Sequence, residues 1–73
     1  MAKISHITVE INGEPFVCEN SYSLYELLDY LDFKLDLIIV EYNMEIIQHY
    51  ELKNIFIKNN DKIEIMTIVG GGT

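Results

Sequence analysis

The sequence predicts an α+β fold: a mixed sheet of four to five strands with one main helix packed on one face. Three observations predict it. Ile7-Thr8-Val9-Glu10-Ile11 alternates with the period of a half-buried strand, and Asn12-Gly13 directly after it is the strongest short hairpin signal. Leu24, Leu27, Leu28 and Leu31 recur at the spacing of one helix face. Two further apolar runs, Leu37 to Tyr42 and Lys62 to Ile68, follow that helix. A tight turn joins strands antiparallel, whereas a helical crossover allows a parallel pair, so the sheet is mixed. One helix laid across one sheet face completes a two-layer arrangement.

The elements follow in order. After the Asn12-Gly13 turn, Phe16 and Cys18 alternate on a second strand, with Pro15 at its start, where a missing N–H is tolerated. Ser21-Tyr22-Ser23 breaks the pattern. Ser23-Leu24-Tyr25-Glu26 reads as a capping box, Ser23 capping the helix and Glu26 reaching back. The leucines form the buried face, and Glu26, Asp29 and Asp32 point to water or to a partner. The third strand, Leu37 to Tyr42, is apolar enough to be central. Asn43-Met44 is a turn, because Asn tolerates the left-handed region. Glu45 to Ile47 is a short fourth strand, and His49 to Lys53 is irregular with about one helical turn. Asn59-Asn60-Asp61 is another turn. The last strand places Ile63, Ile65 and Thr67 on one side and Glu64, Met66 and Ile68 on the other, so apolar residues fall on both sides and both faces are expected to be covered. Residues 1–68 are the folded domain and 69–73 a flexible Gly-rich tail.

Bulk properties limit the function. At 73 residues the chain is one domain with a thin core. Its one cysteine, Cys18, forms no internal disulfide and fits a reducing compartment. Twelve acidic residues against five basic ones give a net charge of -7. That balance argues against nucleic acid, whose phosphates need Lys and Arg clusters, and against anionic membranes. It suits a partner with a basic docking surface, or it keeps a small protein in solution. The longest plainly aliphatic run, Leu37-Ile38-Ile39-Val40, is too short to span a bilayer. Met1 to His6 has neither signal-peptide nor transit-peptide character. The expected location is the cytoplasm, or the plastid stroma if the gene is plastid-encoded. Plentiful Ile, Asn, Lys and Tyr lean toward an AT-rich genome of that kind.

Few residues are candidates for chemistry. Cys18 is a possible thiol nucleophile, but its inward position beside Phe16, with no adjacent cation, makes it a small buried hydrophobe. His6 and His49 lack metal-ligand spacing, so no metal is expected. The helix carboxylates have no apolar surroundings in sequence to raise a pKa. The five tyrosines lack the interleaved Arg or Lys of a base-stacking platform. The ending Val69-Gly70-Gly71-Gly72-Thr73 is different. A phosphate-binding glycine loop needs a helix after it, and none follows. Glycine removes bulk and permits any backbone conformation, which a tail needs to thread a narrow channel. Four residues from Gly70 reach about 14 Å when extended, enough to enter a neighbouring active site. On composition alone a frayed or extraneous terminus fits equally well.

These pieces together resemble a family. Ile11-Asn12-Gly13-Glu14-Pro15, Leu24-Tyr25-Glu26-Leu27-Leu28, Asn59-Asn60-Asp61-Lys62-Ile63-Glu64-Ile65 and Ile68-Val69-Gly70-Gly71-Gly72 are similar to the first hairpin, helix start, final turn and strand, and C-terminal motif of the ubiquitin-like β-grasp sulfur carriers. The resemblance covers nearly the whole chain and is strongest to the thiamine (ThiS) branch of that ThiS/MoaD superfamily. Asn60 stands where the family often has Gly, and Gln48-His49 where Pro and Arg are common. Thr73 stands beyond the glycine that carries the family's reactive carboxylate.

The resemblance implies a β-grasp fold and a carrier with no active site of its own. The Gly72 carboxylate, once Thr73 is gone, is adenylated by a ThiF-like adenylyltransferase that supplies the ATP and Mg site. Sulfur from a cysteine desulfurase relay replaces AMP, and the resulting thiocarboxylate donates sulfur to a ThiG-like thiazole synthase. Gly70 and Gly71 supply the reach. Alternatives within this reading are a MoaD-like carrier for molybdopterin synthesis and ubiquitin-like attachment to lysines. Outside it stands a β-grasp interaction module with an inert tail.

Overall fold

In the computed structural model, which describes residues 5–68, β1 (His6–Ile11) and β2 (Glu14–Glu19) form the expected antiparallel hairpin. Asn12 and Gly13 both have positive φ, 51° and 84°, as a two-residue turn matched to strand twist requires. Val9 and Cys18 turn inward with Ile7 and Phe16 beside them. The helix α1 (Leu24–Tyr30) begins with the predicted box: Glu26 N–H donates to Ser23 Oγ at 3.0 Å and Ser23 N–H to Glu26 Oε1 at 2.8 Å. It ends one residue short of the last periodic leucine. Asp32 takes φ 67°, and Asp32 and Phe33 N–H groups donate back to the Asp29 and Leu28 carbonyls at 3.0 and 3.1 Å. This is a Schellman ending with Asp in the place glycine usually holds. Leu24, Leu27 and Leu28 are 0% exposed, and each such burial is worth roughly 1.5 to 3 kcal/mol.

A 3₁₀ turn, Leu35–Leu37, leads into β3 (Ile38–Tyr42). Leu37, assigned from sequence to the strand, lies in that turn and is exposed. Asn43 and Met44, at φ 49° and 74°, turn the chain into β4 (Glu45–Ile47), as predicted. His49–Asn54 is a 3₁₀ helix closed at its start by Gln48 N–H on Glu51 Oε1 at 3.0 Å, more regular than the sequence indicated. Residues that follow it close against the entrance to α1: Leu24 N–H donates to Ile55 O at 2.7 Å and Ile57 N–H to Tyr22 O at 3.1 Å.

The last strand, β5 (Lys62–Thr67), joins the two hairpins. The sheet order is β2-β1-β5-β3-β4, with β1 parallel to β5 and all other pairs antiparallel. The middle strand is therefore β5, while β3, expected to be central, is interior but one place off centre. The inward residues Val9, Cys18, Ile38, Val40, Ile47, Ile63 and Ile65 pack with the helix leucines, Leu52 and Ile57 in one core. The expectation that β5 is covered on both faces fails. Ile63 and Ile65 are buried, but Lys62, Glu64 and Met66 face out and remain exposed, because the α-helix among the described residues covers one side only.

Asn side chains and one Asp set the register. Asn12 Oδ1 accepts from Ile65 N–H at 2.7 Å, Asn43 Oδ1 from Lys62 N–H at 2.8 Å, and Asn59 Oδ1 from Thr8 N–H at 2.8 Å. Asp61, 5% exposed, accepts from Lys58 N–H at 2.6 Å, Asn43 Nδ2 at 3.1 Å and the Tyr42 hydroxyl. Burial first, then the hydrogen bond to Asp61 and its charge, push the Tyr42 hydroxyl pKa well above the ordinary tyrosine value.

Tyr42→Phe removes one donor from a buried carboxylate and should cost about 1 to 3 kcal/mol at neutral pH, read as a lower urea midpoint with an unchanged slope. The pH dependence has a definite sign. A hydroxyl whose pKa is raised by folding contributes stability that is complete below the unfolded value near 10 and is lost as pH rises above it. The stability difference between wild type and Tyr42→Phe should therefore shrink above about pH 10.

Candidate functional site

The tail candidates Gly70, Gly71 and Gly72, with Val69 and Thr73, lie outside the described residues. The structure instead defines the platform from which they depart. Beyond β5, Ile68 N–H donates to the Leu37 carbonyl at 2.7 Å, so the ladder between the β3 side and β5 continues to the last described residue. The chain is thus tied to the sheet up to Ile68.

Strand alternation places a distinct set of side chains there. Ile38, Val40 and Tyr42 pair with Thr67, Ile65 and Ile63 on the inward side, which forces Ile39 and Met66, and Glu41 and Glu64, to stand opposite each other on the outward side. Ile46 stands opposite Glu41 on β4. Ile46 is 62% exposed, Met66 49% and Ile68 48%. An open groove of about 600 Å³, lined in part by Ile39, Ile46, His49, Tyr50 and Ile68, runs along this edge. Clustered exposed apolar side chains of this kind mark interaction surfaces.

The electrostatics are one-sided. Glu41 and Glu64 are directly opposite across adjacent antiparallel strands, an arrangement that destabilises a sheet. Farther along the face, Lys62 neighbours Glu10 across the parallel pair.

The other sequence candidates are dispersed. Cys18 is buried in the core, and burial together with the Glu19 charge raises its thiol pKa, so it stays a protonated, poorly nucleophilic thiol. His6 is exposed at the start of β1. His49 Nε2 lies 3.1 Å from the Ile38 carbonyl oxygen and so donates to it, holding the 3₁₀ helix against β3. Among the described residues, no group of three or more His, Cys, Asp or Glu is placed to hold a metal ion. Tyr22, Tyr25 and Tyr42 pack against the core, whereas Tyr30 and Tyr50 are largely exposed.

The sequence reading missed the outward corner because it expected both faces of the last strand, Met66 and Ile68 included, to be covered. A signal was present: one short helix can cover one side of a sheet, so apolar residues at both parities of β3 and β5 leave one set uncovered.

A model of the ThiS family matches residues 5–72. Proteins named ycf40 are similar over nearly their whole lengths. That of Trieres chinensis is 48% identical, covering 99% of this chain and all of the relative. That of Porphyra purpurea is 45% identical, covering 92% of this chain and 94% of the relative. Among solved structures, the thiamine biosynthesis protein (ThiS) of Geobacter metallireducens superposes with a TM-score of 0.78 at 26% identity, over 90% of this chain and 100% of that one. The ubiquitin-like β-grasp fold expected from the resemblance is the fold observed.

Glu41→Lys converts the like-charged pair into an opposite-charged one. It should raise stability by about 0.2 to 1 kcal/mol at low salt, measured by urea unfolding, with the gain shrinking as salt is added.

Proposed function

The chain belongs to the ThiS family, and from that premise we propose that it is the sulfur carrier for the thiazole moiety of thiamine, with the Gly72 carboxylate as the group that is activated. One observation carries the reading. The family match runs through the three glycines to Gly72. The 26% identity to a thiamine biosynthesis protein over 90% of this chain supports the thiamine branch over the molybdopterin branch.

In this reading the chain is a protein co-substrate and not an enzyme. A carboxylate is a poor electrophile. A ThiF-like adenylyltransferase, holding ATP and Mg, joins the Gly72 carboxylate oxygen to the α-phosphorus and releases pyrophosphate. The terminal sulfur of a persulfide, supplied through a cysteine desulfurase relay, adds to the carbonyl carbon, and AMP leaves with the electrons of the acyl C–O bond; a second thiol then cleaves the acyl disulfide, releasing the thiocarboxylate and leaving a disulfide on the relay. The thiocarboxylate then gives its sulfur to a ThiG-like thiazole synthase. Glycine serves every step because no side chain shields its carbonyl, and Gly70 and Gly71 let the end pass through a narrow opening. Thr73 must be removed first, since otherwise Gly72 offers an amide and not a carboxylate. The 1–68 domain docks outside the partner while residues 69–72 reach in. The ycf40 relatives and the sequence's AT-rich lean support the plastid stroma as the place of action.

The test is the intact mass of the protein isolated from its native host under thiamine starvation. The expected species ends at Gly72 and is heavier by one oxygen-to-sulfur exchange. A chain that retains Thr73 and two carboxylate oxygens under that demand would contradict the proposal.

A further inference from the structure

We propose that Asn12 is a site of spontaneous covalent modification, deamidation to aspartate and isoaspartate, and that its hydrogen bond to Ile65 gates the reaction. In the isoaspartate product, β1 loses its side-chain tie to the far half of β5. The proposal is independent of the carrier function.

Three features of the molecule lead here. The first is the residue pair. Asn12-Gly13 is the only Asn-Gly step in the chain; the other asparagines precede Ser21, Met44, Ile55, Asn60 and Asp61. Glycine has no side chain to hinder its own nitrogen, so attack on the preceding carboxamide is least obstructed at this step. The second is access. Asn12 and Gly13 are exposed, and a Cβ placed on Gly13 would meet nothing within 4 Å, so water and base reach the step from solvent. The third is restraint. Asn12 has φ 51°, its N–H donates to the Ile63 carbonyl at 2.9 Å, and its Oδ1 accepts from Ile65 N–H at 2.7 Å. The carboxamide is held toward β5 and must leave that bond before the Gly13 nitrogen reaches its carbon. Asn43 is an internal comparison. It too has positive φ, 49°, and its Oδ1 accepts from Lys62 N–H at 2.8 Å, but Met44 follows it. The two sites share the restraint and differ in the bulk of the next residue.

The chemistry needs only water and a base, and nothing is oxidised or reduced. The Gly13 N–H yields its proton to a base in solvent, and the nitrogen joins Asn12 Cγ. The Cγ–Nδ2 bond breaks, and its electron pair leaves with ammonia, which takes its third proton from solvent. Water then opens the five-membered imide at either carbonyl. Cleavage at Cγ gives aspartate at position 12, which keeps an oxygen able to accept from Ile65 N–H. Cleavage at the backbone carbonyl gives isoaspartate, whose main chain runs through Cβ and Cγ and is one methylene longer. The hairpin depends on a two-residue turn whose twist matches its strands, so an inserted methylene breaks the register that lets Asn12 reach both Ile63 and Ile65.

The experiment incubates the purified chain at mildly alkaline pH, native and in concentrated urea. Peptide mapping by mass reads each asparagine, and an isoaspartate methyltransferase assay separates the two products. Hydrogen exchange of the Ile65 amide is followed in parallel at low urea concentrations. In concentrated urea Asn12 should react ahead of Asn43 and of every other asparagine. In the native chain its reaction should be slower by about tenfold or more and should rise with urea in step with Ile65 exchange. The isolated isoaspartate form should show a lower urea midpoint and faster Ile65 exchange than wild type. Asn12→Asp, which keeps the acceptor and the turn length, should keep Ile65 protected. Another asparagine reacting as fast as Asn12 in urea would overturn the site. Equal rates at Asn12 in the native and unfolded chain, or a native rate that does not follow Ile65 exchange, would overturn the gate. An isoaspartate form with wild-type protection at Ile65 would overturn the loss of the β1–β5 tie.

Discussion

The structure depends on how the start of β5 is pinned. Asp61 is a nearly buried carboxylate at the point where the last strand enters the sheet, and its neighbours come from three places. Lys58 N–H closes the preceding turn onto it, Tyr42 and Asn43 reach it from the end of β3, and its own carbonyl accepts Glu10 N–H of β1 at 2.8 Å. One residue on, Lys62 and Asn43 are joined twice, through Asn43 Oδ1 and through the Lys62 carbonyl, both at 2.8 Å. A buried carboxylate without such donors would be strongly unfavourable, so the register that supplies them is selected against its neighbours. A slip by one residue would turn Ile63 and Ile65 outward and carry Glu64 and Met66 into the core. Fixing β5 at its start therefore fixes which side chains appear on the open face at its end, and where the chain departs toward the glycines.

This arrangement separates stability from function along one strand. The first half of β5 is held by polar side chains from three turns and by the core beneath it. The second half presents Met66 to solvent, and Ile68, exposed just beyond it, leads into the tail. The helix secures the other face with three fully buried leucines and a reciprocal cap at its start. Such a division suits the proposed carrier function, in which the platform would need no catalytic group because the protein that receives its end would supply the chemistry.

Much of this was legible in the residues. Asn12-Gly13 and Asn43-Met44 gave both hairpins, because positive φ is a local requirement that few residues meet. Ser23 and Glu26 gave the helix start for the same reason. What was not legible is long-range. That β5 rather than β3 is the middle strand depends on pairings across more than fifty residues, such as Glu10 with Lys62. That Asp61 is a buried hub depends on Tyr42 and Asn43 being brought to it, although in sequence it looked like one residue of a polar turn. The open face was misread because apolar residues at both parities of a strand look alike whether or not a second layer covers them. The glycines were found by position and by likeness to a family, and not by any packing they make.

The central claim is that the reactive group is the Gly72 carboxylate. The most direct measurement is ATP–pyrophosphate exchange by the activating enzyme, comparing two forms of this chain, one ending at Gly72 and one ending at Thr73. The account predicts exchange with the first form and none above background with the second. Equal exchange with both, or exchange only with the form that keeps Thr73, would contradict it.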